Sequence, residues 1–243
     1  YSTMVTGKPA LRYGKEEADG GFMTDITVVC IIGLGYVGLP LAEAFSKHLS
    51  VIGFDVDGRK LAKLKKGNNN GNLTLIDDPG EIGRADFIII CVPTPVTRSK
   101  EPDLSCIESA AVTAGQNMKR GSIVILESTV YPGVTEEIVR PILEKESGFK
   151  CGRDFGIAYC PERINPGDKE HTIDNTTKIV SGMDDETTGI VAGLYGKLTP
   201  HIFRARDIKT AEAAKVIENI QRDLNIALMN ELVLIFEKMG LNT

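Results

Sequence analysis

Apolar runs rich in β-branched residues recur along the chain, and glycine, proline or a polar cluster closes each one. Residues 26–32, 51–55, 86–92, 122–127 and 155–159 have this form, and 177–181 and 201–203 are weaker versions of it. Uninterrupted runs of this length suit strands buried on both faces of a parallel sheet. Helical patterns lie between them, at about 39–47 and 58–66, and 67–71 reads as a turn. Strands alternating with helices imply βαβ units. The fold expected is α/β: a Rossmann-like, doubly wound, mostly parallel sheet followed by a long helix.

The last stretch has a different period. Over 207–239, Ile217, Ile220, Leu224, Leu228 and Ile235 share one side at helical spacing, and no Gly or Pro interrupts before Gly240. Lys215, Asn219 and Arg222 fall on the opposite side. Such a helix is expected to pack its apolar stripe into a core, to join two domains, or to meet a partner. The organisation expected is an N-terminal extension over 1–24, a doubly wound α/β domain over 25–206, and a connecting helix over 207–243 that begins a further domain.

The chain has 243 residues and a net charge of −5, with no basic block. A nucleic-acid surface needs clustered cations, so that class is set aside. No apolar run reaches membrane-spanning length. The five cysteines, Cys30, Cys91, Cys106, Cys151 and Cys160, are scattered, without a CxxC pair. With no visible signal peptide, reduced thiols in the cytoplasm are expected. His48, His171 and His201 have no ligand spacing, so no metal is expected.

The most specific chemical signal is Gly33-Leu-Gly35-Tyr-Val-Gly38, a GxGxxG turn between a strand and a helix. Asp55 ends the next strand, 20 residues beyond Gly35. In that context the glycines make a tight turn, admit a pyrophosphate to the backbone and let helix and strand pack closely. The helix N-terminus offers free N–H groups to phosphate. Asp55 would accept the adenosine ribose hydroxyls and repel a 2′-phosphate, so NAD is favoured over NADP. Arg59 and Lys60 soften that exclusion, and FAD uses a similar turn. Three other strand ends carry polar clusters, Val92-Pro-Thr-Pro95, Glu127-Ser-Thr129 and Pro161-Glu-Arg163. Ligands gather beyond the carboxyl ends of parallel strands, so these clusters are expected to line one crevice with the glycine turn.

Taken together, IIGLGYVGLPLAEAF, DVDGRK, CVPTP, ESTVYPG, AYCPERINPG and AAKVIENIQRDLNIALMNEL resemble the UDP-glucose/GDP-mannose dehydrogenase family over about residues 26–243. The wording is most like the branch acting on UDP-N-acetylhexosamines. That resemblance implies NAD-dependent oxidation of a sugar carbon 6 alcohol to the acid, for polysaccharide biosynthesis. It runs by two hydride transfers, the second through a thioester. It places Gly33, Gly35, Tyr36, Val37, Gly38, Asp55, Lys60, Thr94 and Thr129 at NAD. It places Glu162, Arg163, Ile164, Lys215, Asn219 and Arg222 at the UDP-sugar. Lys215 and Asn219 would stabilise an oxyanion, Glu162 would act as base, and Thr129 would hold a water. It also implies a homodimer through the long helix. The family's nucleophilic cysteine lies beyond the Asn230-Glu231 segment and has no match here. The chain is therefore expected to be a truncated portion that binds NAD and turns over poorly, with Cys160 a packed strand-end residue. Three other readings stay open: a UDP-glucose 6-dehydrogenase, a β-hydroxyacid dehydrogenase, and a non-catalytic NAD-binding or dimerisation module.

Overall fold

The computed structural model describes residues 27–68, 70–163 and 175–242. The expected extension over 1–24 and the substrate residue Ile164 lie outside them. Eight strands form one sheet: β1 (Val28–Ile32), β2 (Ser50–Phe54), β3 (Leu73–Ile76), β4 (Phe87–Ile90), β5 (Ile123–Leu126), β6 (Gly156–Tyr159), β7 (Lys178–Gly182) and β8 (Ile202–Arg204). Their order is β3-β2-β1-β4-β5-β6-β7-β8. β1 to β6 pair in parallel, β7 runs antiparallel to β6, and β8 is parallel to β7. The chain winds outward from β1 in both directions, so a crevice opens at the carboxyl ends of β1 and β4.

Alternation along the strands divides the core into two layers. Cys30, Ile32, Ile88, Ile90, Val124 and Leu126 point to one face. There they meet α3 (Ser105–Asn117), α4 (Arg140–Ser147) and the first turns of α6 (Ile208–Lys238). Val29, Ile31, Ile89, Ile123 and Ile125 point to the other, against α1 (Gly38–Phe45), α2 (Gly58–Gly67) and α5 (Asp185–Tyr195). Burial on both faces explains why these runs lack a polar alternate. β3 was not anticipated: its pattern of buried Leu73 and Leu75 beside exposed Thr74 is that of an edge strand, too short to stand out in the sequence.

Helix starts follow from capping. Asp57, Asp184 and Asp207 open α2, α5 and α6, each accepting from backbone N–H groups of the first turn. The expected core stripe on α6 needs correction. Ile217, Ile220, Leu224, Leu228 and Ile235 are exposed, Ile217 at 64% and Ile235 at 48%. The buried residues of α6 are Ile208, Ala211, Glu212 and Lys215, in its first turns. Only this end of the helix reaches the sheet, and there Ile208 and Ala211 join the core while Glu212 and Lys215 are buried beside them. No helix among the described residues is long and apolar enough to cross a membrane.

Candidate functional site

β1 ends at Gly33, whose φ of +94° only glycine adopts without strain. A Cβ on Gly38 would lie 1.9 Å from the Gly33 carbonyl oxygen, so the turn and α1 touch through bare backbone. A Cβ on Gly35 would meet nothing within 4 Å, because that residue faces open space. α1 begins at Val37 with no side chain capping it, unlike α2, α5 and α6. The Leu39 N–H donates to the Gly35 carbonyl at 3.0 Å and Pro40 has no N–H, so what α1 offers an anion is its positive dipole end and the backbone of the turn in front of it, as a bound pyrophosphate requires.

Asp55, just past β2, is buried. Its carboxylate accepts from the Leu34 and Asp57 N–H groups at 2.8 and 3.0 Å and from Lys60 Nζ at 2.5 Å. Burial opposes its charge, but Lys60 and the two N–H groups outweigh it and hold the carboxyl below the ordinary range. A carboxylate has about four acceptor positions, so one stays open for a ribose hydroxyl. These features fit a dinucleotide.

A cavity of about 920 Å³ starts at this turn and runs along the strand ends. It brings together Gly33, Gly35, Tyr36, Val37, Asp55, Lys60, Thr94, Thr129, Glu162, Lys215, Asn219 and Arg222. The three polar clusters therefore meet the glycine turn in one crevice, through Val92 to Pro95, Glu127 to Thr129, and Glu162. Gly38 sits behind the turn rather than in the wall. Arg163 and Pro161 border a second, much smaller cavity behind Glu162. Around Lys215 the charges are dense. Glu218 lies 3.4 Å from Arg163, 3.7 Å from Lys215 and 3.6 Å from Arg222. Burial, reinforced by Arg222, brings the Lys215 ammonium below the usual lysine value despite Glu218.

Beneath Glu162 is a cluster that sequence reasoning did not foresee. Lys178 Nζ lies 2.9 Å from Glu127 and 2.8 Å from Glu162, and Tyr195 donates to Glu127. Glu212, fully buried on α6, accepts from the Gly133 N–H at 2.5 Å and from the Thr135 N–H and hydroxyl at 2.9 and 2.7 Å. It ties the helix that carries Lys215 to the loop that follows Thr129. The thiols are quiet. Burial pushes Cys30 to about 12 and Cys151 to about 11, and raises Cys91 and Cys160 well above the ordinary range. Cys160 is completely buried, as expected of a packed strand end. Among the described residues no group of three or more His, Cys, Asp or Glu is placed to hold a metal.

Comparison with known proteins matches residues 27–199 to the NAD-binding domain of the UDP-glucose/GDP-mannose dehydrogenase family, and 209–243 to that family's central domain. The chain belongs to this family. As a UDP-glucose/GDP-mannose dehydrogenase family member it carries an NAD-binding domain, and the glycine turn lies within it. It is 47% identical over 227 residues to Protein CapL of Staphylococcus aureus, covering 88% of this chain and 54% of that protein. It is 45% identical over 228 residues to the UDP-N-acetyl-D-glucosamine 6-dehydrogenase of Pseudomonas aeruginosa, with the same coverage of 88% and 54%. Among solved structures, the UDP-D-ManNAc dehydrogenase of Pyrococcus horikoshii superposes with a TM-score of 0.83 at 33% identity, over 89% of this chain and 55% of that one. The chain thus spans about half the length of the family relatives it matches.

Proposed function

We propose that this chain is the NAD-binding and oxidising part of an enzyme that converts the carbon 6 alcohol of a UDP-N-acetylhexosamine to the acid. One observation carries the reading. The cavity that begins at the glycine turn and Asp55 continues without a break to Glu162, Lys215 and Asn219. A dinucleotide laid along the turn would therefore present its nicotinamide end to a carboxylate and a buried cation.

NAD, when bound, supplies the hydride acceptor. The residues do the rest. Glu162 takes the proton leaving the sugar alcohol, directly or through a water that Thr129 holds. Lys215, poorly solvated, faces oxygen charge as it develops, and Asn219 adds a hydrogen bond. Arg222, in the cavity wall, faces the sugar nucleotide with a planar guanidinium suited to phosphate, and Arg163 borders the same region from behind Glu162. Tyr36, Val37 and Thr94 wall the dinucleotide, and Lys60 lies by its ribose. Four of the five thiols are held protonated by burial, so the covalent step of the second oxidation is assigned to a thiol other than these. The exposed apolar face of α6 supports pairing with a second copy, and five free cysteines suit a reducing cytoplasm.

Calorimetric titration of the chain with NAD, NADP and FAD tests the cofactor part, and NAD binding alone, or by far the tightest, is expected. Tight NADP binding with no response to NAD would overturn it. Adding UDP-N-acetylglucosamine and its galacto and manno epimers to the NAD-loaded chain, with NADH absorbance as readout, tests the rest. Little turnover is expected. Sustained NADH production would refute the assignment of the covalent step to another thiol, and turnover of a small 3-hydroxy acid would refute the sugar-nucleotide reading.

A further inference from the structure

β7 is antiparallel to its neighbour, so its first residue lies at the end of the sheet where β5 and β6 finish. In its register Ala158 pairs with Gly182 and Tyr159 with Ser181. Continued by three residues, that register sets Lys178 opposite Glu162. Glu127, the first residue past β5, closes the cluster from the other side. The contacts agree: one ammonium lies within 2.9 Å of two carboxylates. The Lys178 side chain is 7% exposed, Glu127 is at 0% and Glu162 at 7%. The ammonium also sits over the Tyr195 ring, 4.7 Å from its centroid. That ring is fixed edge-on against Phe45 at 5.5 Å.

We propose that Lys178 is the positioning residue for Glu162: its ammonium holds that carboxylate charged and aimed at the cavity, while Glu127 and Tyr195 hold the ammonium. The inference rests on the reading of Glu162 as the base. A buried lysine with one carboxylate partner would be an ordinary ion pair. Here two carboxylates share one cation, and only Glu162 borders both the large cavity and the small one behind it. Glu127 is the deeper of the two, and one of its oxygens is taken by both Lys178 and Tyr195.

The electrostatics agree with this division. Burial works against charge on Lys178, yet Glu127 and Glu162 keep its ammonium above the usual lysine value. Burial raises Glu127, against the pull of Lys178. The other groups facing the cluster are Cys160 at the end of β6, Cys91 after β4, Tyr195 on α5, and Lys215 on α6, with Arg163, Glu218 and Arg222 around Lys215. Of the cations among these, Lys178 makes the 2.8 Å contact with Glu162. Removing it takes away an opposite charge in direct contact with Glu162.

The test is a pH titration of the chain with ¹³C-carboxyl-labelled glutamate, followed by NMR, with Glu162 and Glu127 assigned through E162Q and E127Q. In K178M the midpoint of Glu162 should rise by about one pH unit or more, as expected when a contacting cation is lost. E127Q should move it the other way, because a competing carboxylate is gone and Lys178 serves Glu162 alone. An unmoved Glu162 midpoint in folded K178M would overturn the proposal. If K178M does not fold, a rise in E127Q would overturn it and a fall would support it. NAD affinity is measured alongside on the unsubstituted chain. A chain that ignored NAD would defeat the functional reading while leaving the titration result standing, since the titration needs no ligand.

Discussion

The two halves of the crevice recognise by different means. On the β1–β2 side the work is done by backbone: Gly33, Gly35 and Gly38 keep side chains out, and no side chain caps α1. On the β5–β7 side it is done by buried side chains that support one another, Glu127, Lys178, Tyr195 and Glu162, with Glu212 tying α6 in place. The first kind of site fails abruptly when a single atom is added. The second fails by degrees, because each member has more than one partner.

The sharpest way to break the comparison is Gly38→Val. Its Cβ would overlap the Gly33 carbonyl at 1.9 Å, so α1 must move off the turn. NAD binding should vanish in calorimetry while the Glu162 titration is kept. Equal damage to both would show that the halves are not separable. Next is Glu212→Ala on the other side. It leaves the Gly133 and Thr135 N–H groups buried without acceptors, at a cost of about 3 kcal/mol, a fall in Tm of roughly 10 °C by scanning calorimetry. A Tm within a degree of wild type would show that α6 is held by its apolar contacts alone.

Asp55→Ala should weaken NAD about 10- to 100-fold, the worth of hydrogen bonds to a charged group, and should narrow the gap to NADP because Lys60 is released. The pH dependence has a definite sign. Asp55 is depressed in the folded chain, so it stays ionised as pH falls, and NAD affinity should be flat from about pH 8 to about pH 5. The loss should come only below the ordinary aspartate range; a loss beginning near pH 6 would contradict the Asp55 geometry. The smallest effect expected is that of Tyr195→Phe. Glu127 keeps Lys178, so the loss is about 1 kcal/mol, a few degrees of Tm, with NAD affinity unchanged.

The difference between the halves also explains what could be read in advance. The strands other than β3, the glycine turn, Asp55 and the long helix were legible because each is a local pattern: a period, a spacing or a cap. Thr94, Thr129, Glu162, Lys215, Asn219 and Arg222 came from motif resemblance, and the fold does bring them to one cavity. Lys178 gave only a faint signal, a lysine at the head of an apolar run. Nothing local says that its strand runs backwards. The apolar stripe of α6 misled for a related reason: periodicity shows that a helix has two faces, but not which one meets the sheet. The start of α6 turns Ile208 and Ala211 inward together with Glu212 and Lys215, and both charged residues have partners there.

From its amino-acid order alone this chain is committed to a parallel sheet that binds a dinucleotide at its first turn, since strand propensity, glycine conformation and helix capping act over a few neighbouring residues. Which carboxylate meets which cation was decided only when β5, β6 and the reversed β7 came side by side. Those partners lie 16 and 51 positions apart in the chain, and ion pairing depends on distance in space, which sheet order and register set.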